Sequence, residues 1–167
     1  TGSTTPSAST SAGSTVVAEG LSGARRAIAN VVSKSKQEVP HFRVNVDVDV
    51  SAAMALRKTL NARRTDVKIS LNDILIKACA CALAANPGIN ARFDGQTLER
   101  HSEANIASAV ATDSGVLMPV LQNAGAKGLA DISNAMRDLA TRAKTGRLSM
   151  DEVTSAAFSI SNLGMFG

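Results

Sequence analysis

The sequence predicts an α/β fold in two layers, with helices packed on a mixed sheet. Phe42 to Val50 alternate apolar and polar residues with a period of two, which predicts a strand with one buried face. Gly128 to Lys144 instead carry apolar residues at spacings of three and four, which predicts an amphipathic helix. The predicted order is helix, strand, helix, helix, hairpin, strands, helix, strand, and such mixed runs indicate helices lying on a mixed sheet.

The N-terminal part begins with a segment that resembles a linker. Residues 1–19 are mostly Thr, Ser, Ala, Gly and Pro and cannot bury enough surface to offset the entropy of ordering them. We therefore expect a flexible linker over 1–19 and a folded domain over 20–167. Ser22 is predicted to cap a helix that Pro40 stops, and Ser51 to cap the next one.

A third helix is predicted from Ser70 to Ala85. Ser70 with Asp73 resembles a capping box, and Asn86 ends the helix. Its predicted apolar stripe consists of Leu71, Ile74, Leu75, Ala78 and Leu83. The Asp94-Gly95 pair that follows is a strong hairpin signal between two short strands.

The C-terminal part reads as strands around one long helix. Ile106 to Thr112 and Val116 to Leu121 are predicted strands, and Phe158 to Leu163 is the last one. Gly146 is predicted to close the long helix, and the S-x-x-E capping box at 149–152 to begin a short one.

Composition excludes several classes of protein. Aromatic residues make up only 2% of the 167 residues, which argues against stacking on single-stranded nucleic acid. The net charge of +4 is dispersed, which is typical of a solvated surface but still favours a small ligand that carries phosphate. No apolar run reaches the ~20 residues needed to cross a bilayer, and we expect no secretory signal.

The cysteines and histidines do not by themselves predict an active site. Cys79 and Cys81 point to nearly opposite sides of a helix, so we expect buried free thiols and a reducing compartment. Neither they nor any other cluster predicts a metal site. His41 is expected to be a surface or packing residue, and His101 to be solvated.

Four blocks of sequence are similar to the catalytic domains of dihydrolipoamide acyltransferases, the core components of the 2-oxo acid dehydrogenase complexes. These are RRAIANVVSKSKQEVPHF (25–42), KISLNDILIKACACAL (68–83), SGVLMPVLQNAGAKGLADIS (114–133) and FSISNLGMFG (158–167). They occur in the family's order and spacing, and the last resembles its Phe-Thr-Ile-Ser-Asn-Leu-Gly block almost letter for letter.

The resemblance implies a chloramphenicol-acetyltransferase-like fold, here incomplete, with 20–167 as the N-terminal two-thirds of the catalytic domain. It implies transfer of an acyl group between a lipoyl thiol and coenzyme A. By this resemblance Ser161 corresponds to the serine that donates to the oxyanion in the family. Arg57 corresponds to a family arginine, for which a structural ion pair and a contact to coenzyme A are equally expected. The family's histidine base belongs to a later His-Arg-x-x-Asp-Gly motif that this sequence lacks. We therefore expect the chain alone to be inactive.

The same resemblance implies an assembly. A homotrimer would build a larger cubic or icosahedral core, with dehydrogenase and dihydrolipoamide dehydrogenase components as partners and the lipoyl domain outside this chain. Neither nucleic acid nor a membrane is expected as a partner, and the compartment is the bacterial cytoplasm or the mitochondrial matrix. Acetyl is the expected acyl group, with succinyl and branched-chain acyl groups left open. The alternative is a non-catalytic core subunit with the same fold that organises or binds other components.

Overall fold

The computed structural model describes residues 20–93, 95–113 and 115–164, and the chain divides between Asn45 and Val46 into two units. In the first unit, helix α1 spans Gly23–Glu38. The Ser22 hydroxyl accepts a hydrogen bond from the Arg25 backbone N–H, as the sequence predicted. The expected linker over 1–19 lies outside the described residues and stays a prediction.

The predicted strand from Phe42 to Val50 is wrong. These residues belong to no described helix or strand, no described strand pairs with them, and both faces of the segment are exposed. The Phe42 side chain is 87% exposed and that of Val46 is 74% exposed. Alternating apolar and polar residues make a segment suitable for a half-buried strand. A strand forms only when its N–H and C=O groups can also pair with those of another segment.

Four α-helices and seven strands make up the described part of the second unit. The helices are α2 (Ser51–Arg63), α3 (Leu71–Ala85), α4 (Leu129–Lys144) and α5 (Asp151–Thr154), with a 3₁₀ turn at Ala124–Ala126. The strands are β1 (Ala91–Phe93), β2 (Leu98–Arg100), β3 (Ile106–Ser108), β4 (Val110–Thr112), β5 (Gly115–Leu117), β6 (Val120–Leu121) and β7 (Phe158–Ile160). The α/β class is therefore confirmed.

Helix α2 begins differently from the prediction. Ser51 is its first helical residue rather than its cap. The Asp49 carboxylate accepts a hydrogen bond of 2.8 Å from the Ser51 backbone N–H. Asp49 thereby satisfies one of the backbone N–H groups that have no partner within the first turn of the helix. Hydrogen bonding to Ser51 lowers the pKa of Asp49.

Helix α3 has the predicted cap but a different buried face. The Ser70 hydroxyl accepts from the Asp73 N–H, and the Asp73 carboxylate accepts from the Ser70 N–H, so the capping box is confirmed. The buried apolar residues are Ile76, Ala80 and Leu83, whereas Ile74 of the predicted stripe is only half-buried. Leu83 of the predicted stripe is buried as expected, whereas Leu71 and Leu75 are half-buried and Ala78 is exposed. Apolar residues occupy most of the helix circumference, so periodicity alone could not select the face.

The strands form three small sheets. The central one has the order β6-β3-β7, with β3 antiparallel to β6 and parallel to β7. β1 pairs with β2 across the predicted hairpin, where Gly95 has a φ of 102°. β4 pairs with β5 around the predicted turn at 113–115, of which residue 114 lies outside the described residues.

Two strands predicted as continuous are interrupted. Ile106–Thr112 divides at Ala109 into β3 and β4, so one half joins the central sheet and the other a separate hairpin. Val116–Leu121 divides at Met118 and Pro119, because proline has no N–H to donate to a ladder. The Pro119 carbonyl still accepts from the Ser108 N–H at 3.0 Å. The last strand ends at Ile160, earlier than predicted.

The core of the second unit lies between α3, α4 and the central sheet. Ile76, Ile106 and Ile132 are fully buried there, and Leu121 and Leu139 nearly so. The prediction of α4 is confirmed in its bounds and in its buried face.

Both ends of the turn between α4 and α5 are fixed as predicted. Gly146 has a φ of +66° and donates its N–H to Ala143, while the Arg147 N–H reaches back to the Arg142 carbonyl. Glu152 and Ser149 then form the expected reciprocal capping bonds at α5.

Candidate active site

Ser161 follows directly after β7 and is positioned by the central sheet. Ser108 of β3 lies opposite Ile160 of β7, and the Ala109 N–H donates to the Ile160 carbonyl at 3.1 Å. These contacts fix the backbone of the residue just before Ser161. The Ser161 side chain is exposed, and within the described residues its hydroxyl makes no hydrogen bond. Its O–H is therefore available to a ligand rather than used by the fold.

A cavity of about 400 Å³ reaches Asn162, the residue after Ser161, although Ser161 itself does not line it. The neighbouring Asn162 lines the cavity, together with the start of α3, the β3–β4 connection and one face of α4. The Asn162 side-chain oxygen accepts from the Gly164 N–H at 3.0 Å, which holds the chain in a turn immediately after Ser161. Ser161 thus lies between the end of the central sheet and a turn whose first residue, Asn162, lines the cavity.

The wall of this cavity contains a buried polar pair. The Asn72 side-chain amide donates to the Ser108 hydroxyl at 3.3 Å, and Ser108 is only 4% exposed. The Asn72 Oδ1 atom is buried without a hydrogen-bond partner. Since a buried acceptor without a partner is costly, this oxygen favours the binding of a group that brings an N–H or O–H.

Three cations line the same cavity, and the sequence did not single them out. Lys68, Arg137 and Lys144 lie around it, while Asp73 is occupied by the α3 capping box. The Ser133 hydroxyl donates to the Lys68 carbonyl at 3.0 Å, which joins α4 to the segment before α3. The spacing of residues along the sequence does not predict contacts between segments that are this far apart in the chain.

Arg57 lies at another cavity. Met54, Lys58 and Asn61 line that cavity with it, and Lys68 contributes to both cavities. The Arg57 guanidinium contacts the Met54 sulfur at 3.9 Å. Among the described residues it forms no ion pair and no hydrogen bond to Ser161, so the structure does not bring the two predicted site residues into contact.

Neither histidine is placed as a base by a described contact. His41 is exposed in the first unit, and its Nδ1 donates to the Val39 carbonyl at 2.6 Å. His101 is half-buried and its Nε2 is shielded without a partner, so the prediction that it is solvated is wrong. The buried Asn90 amide donates to the His101 and Glu103 carbonyls and holds this segment inward.

The two thiols differ from each other. Cys79 is half-buried against the core, where burial raises its pKa, whereas Cys81 is exposed. The prediction of free thiols is confirmed, and that of burial is wrong for Cys81. Over the described ranges, no group of three or more acidic, histidine or cysteine side chains is arranged to hold a metal ion. No helix there is long and apolar enough for a membrane span.

Comparison with known proteins decides the family. The model of the 2-oxoacid dehydrogenases acyltransferase catalytic domain matches residues 14–167. The chain belongs to this acyltransferase family. It is 44% identical over 149 residues to the dihydrolipoyllysine-residue acetyltransferase component of the Zymomonas mobilis pyruvate dehydrogenase complex, covering 88% of this chain and 34% of the relative. It is 39% identical over 146 residues to the mouse mitochondrial pyruvate dehydrogenase protein X component, covering 87% of this chain and 29% of the relative.

Solved structures of the acyltransferase family share the fold. The cubic core of the pyruvate dehydrogenase multienzyme complex is similar with a TM-score of 0.84 and 29% identity, covering 92% of this chain and 65% of that one. The expected chloramphenicol-acetyltransferase-like fold is thereby confirmed. The chain spans about a third of the length of the curated relatives.

Proposed function

We propose that this acyltransferase-family chain transfers an acetyl group between a lipoyl thiol and coenzyme A, with Ser161 as the oxyanion donor. The observation that carries the proposal is the exposed Ser161 hydroxyl just after β7, without a described hydrogen-bond partner and next in sequence to a residue that lines a cavity. The acetyl group follows the name of the Zymomonas mobilis relative.

The proposed reaction is attack of the coenzyme A thiolate on the thioester carbonyl of acetyl-dihydrolipoamide. The new C–S bond forms as the carbonyl oxygen becomes an oxyanion, to which the Ser161 hydroxyl donates. The bond to the lipoyl sulfur then breaks, and that sulfur takes the proton removed from coenzyme A. A fixed donor aimed at the developing charge stabilises the transition state more than the ground state.

The proton transfer requires a base from outside these 167 residues. A thiol with a pKa near ~8.5 is mostly protonated at neutral pH, so a histidine base suits the task. His41 and His101 are the only histidines of the sequence, and neither lies in the motif that carries the family's base. The chain alone is therefore expected to be inactive. Arg57 stays a predicted coenzyme A contact, since its guanidinium has no described anionic partner.

The proposed assembly is a homotrimer that builds a larger core. Similarity to a cubic core supports a high-order assembly of this kind. The dehydrogenase and dihydrolipoamide dehydrogenase components are the proposed partners. Both bacterial and mitochondrial pyruvate dehydrogenase components are among the relatives, which fits either the bacterial cytoplasm or the mitochondrial matrix.

A non-catalytic core subunit is the second candidate function. The similarity to mouse protein X favours it, because that relative is named as a component and not as an acetyltransferase. The test is a thiol-transfer assay of the full-length protein with dihydrolipoamide and acetyl-, succinyl- and isobutyryl-coenzyme A. Turnover that is fastest with acetyl-coenzyme A supports the proposal. No turnover with any donor, by protein that still assembles, would establish the structural subunit.

A further inference from the structure

The central sheet holds the chain only up to the residue before Ser161. The Ala109 N–H donates to the Ile160 carbonyl at 3.1 Å, and β7 ends at Ile160. Beyond it, Ser161 is exposed and Leu163 is 75% exposed, so apolar packing does not hold this segment. The Ser161 hydroxyl makes no described hydrogen bond either, and its direction therefore depends on the backbone on both sides of it.

The Asn162 side chain supplies the restraint on the carboxyl side of Ser161. Its Oδ1 accepts from the Gly164 N–H at 3.0 Å, and the described residues 161–164 form no other hydrogen bond. An asparagine that accepts from the N–H two residues later closes an Asx turn, which replaces a backbone turn. Gly164 leaves room for this bond, because a Cβ atom there would lie only 3.2 Å from Asn162 Oδ1.

This turn matters for an oxyanion donor, which is effective only when its O–H is already aimed at the developing charge. Functional side chains must be held within about 0.5 Å of the productive geometry, by packing and by hydrogen bonds of their neighbours. The sheet fixes one side of Ser161, and the Asn162 turn fixes the other. Without the turn the hydroxyl would still be present but would be free to point elsewhere.

We propose that Asn162 is a positioning residue for Ser161, with its Asx turn directing the Ser161 hydroxyl towards the thioester oxygen. The inference rests on the proposed function, because Asn162 has nothing to position unless Ser161 is the oxyanion donor. Asn162 acts through Ser161 and does not itself contact the reacting atoms. Since Asn162 also lines the cavity, a direct contact to bound substrate is the competing role that the test has to separate.

The test is a double-mutant cycle of Asn162→Ala and Ser161→Ala in the full-length protein, followed by steady-state acetyl transfer from acetyl-coenzyme A to dihydrolipoamide. Asn162→Ala should lower kcat about tenfold or more and leave KM within about twofold, because a misplaced group loses interactions that are made only in the transition state. In the Ser161→Ala background the same substitution should change kcat by less than about twofold, because no hydroxyl is left to position.

Two further variants serve as rescue and control. Asn162→Ser keeps an oxygen that accepts from the Gly164 N–H, though more weakly, and should recover most of the lost kcat. Asn30→Ala removes an exposed asparagine of α1 and should leave kcat and KM unchanged. The urea midpoints of all variants should stay near that of the wild type, because exposed substitutions change stability little.

The outcomes separate the positioning role from the proposed function. An unchanged kcat in Asn162→Ala, while Ser161→Ala lowers kcat, overturns the positioning role alone. Equal losses from Asn162→Ala in both backgrounds, or an effect confined to KM, overturn it as well, because they assign Asn162 to folding or to substrate binding. An unchanged kcat in Ser161→Ala refutes the proposed function, and the positioning role with it.

Discussion

The buried face of α3 gives the sharpest test of the fold, because sequence and structure assign it differently. Periodicity predicts Ile74 on the core face, whereas the structure buries Ile76 completely and leaves Ile74 half-buried. The paired substitutions Ile76→Ala and Ile74→Ala remove the same atoms from positions two residues apart on one helix.

The expected magnitudes follow from burial. Ile76→Ala removes three buried carbons, which loses about 2.5 kcal/mol of transfer free energy. A cavity between α3 and β3 adds about 1–2 kcal/mol, and the better helix propensity of alanine returns a few tenths. We expect a loss of about 3–4 kcal/mol in the free energy of unfolding. Ile74→Ala should cost about 1–2 kcal/mol, because that side chain is partly exposed to solvent and leaves a smaller cavity.

The assay is urea unfolding followed by far-ultraviolet circular dichroism, since the chain has neither Trp nor Tyr for fluorescence. Ile76→Ala should lower the midpoint by about 1–2 M urea and Ile74→Ala by about half as much. Equal shifts, or a larger shift for Ile74→Ala, would refute the packing described for α3.

Two further predictions concern the turn that joins α4 to α5. Arg142 bonds both oxygens of Glu152, at 2.6 and 2.5 Å, and with the Ser149 N–H holds the pKa of Glu152 at about 2. Because that pKa is depressed in the folded state, the stabilisation is present above pH 4.5 and is lost as the pH falls towards 2. The Tm should therefore fall more steeply over this window in the wild type than in Glu152→Gln, and parallel Tm curves would contradict the ion pair. Gly146→Ala should lower the unfolding free energy by about 1 kcal/mol because of the positive φ, whereas an unchanged urea midpoint would show a relaxed turn.

Local signals in the sequence predicted local structure well. The capping boxes at Ser70 and Ser149 and the glycine at 146 are confirmed, because each depends on residues within one or two turns. The strand at 42–50 and the face of α3 were wrong, because each depends on which distant segment packs against it. Pro119 interrupted a strand for a local reason that the pattern of apolar residues concealed.

In the candidate site, too, the features that depend on contacts between distant segments could not be predicted from the sequence. Ser161 was identified only through its resemblance to a family block, since a lone serine has no chemical signature of its own. The cations at 68, 137 and 144 come together through the packing of α4 against the start of α3. The shielded His101 ring likewise depends on the Asn90 bonds across a hairpin. No spacing rule links such positions.

The oxyanion role of Ser161 is the central claim, and Ser161→Ala in the full-length protein tests it most directly. Steady-state acetyl transfer from acetyl-coenzyme A to dihydrolipoamide should show kcat lowered by ~10²–10³, because the donor acts on charge that exists only in the transition state. Coenzyme A affinity should stay within about twofold, since the ground state does not use that donor. Ser159→Ala, at an exposed position on β7 two residues earlier, serves as the control and should keep its kcat. An unchanged kcat in Ser161→Ala, or a loss confined to affinity, would contradict the account.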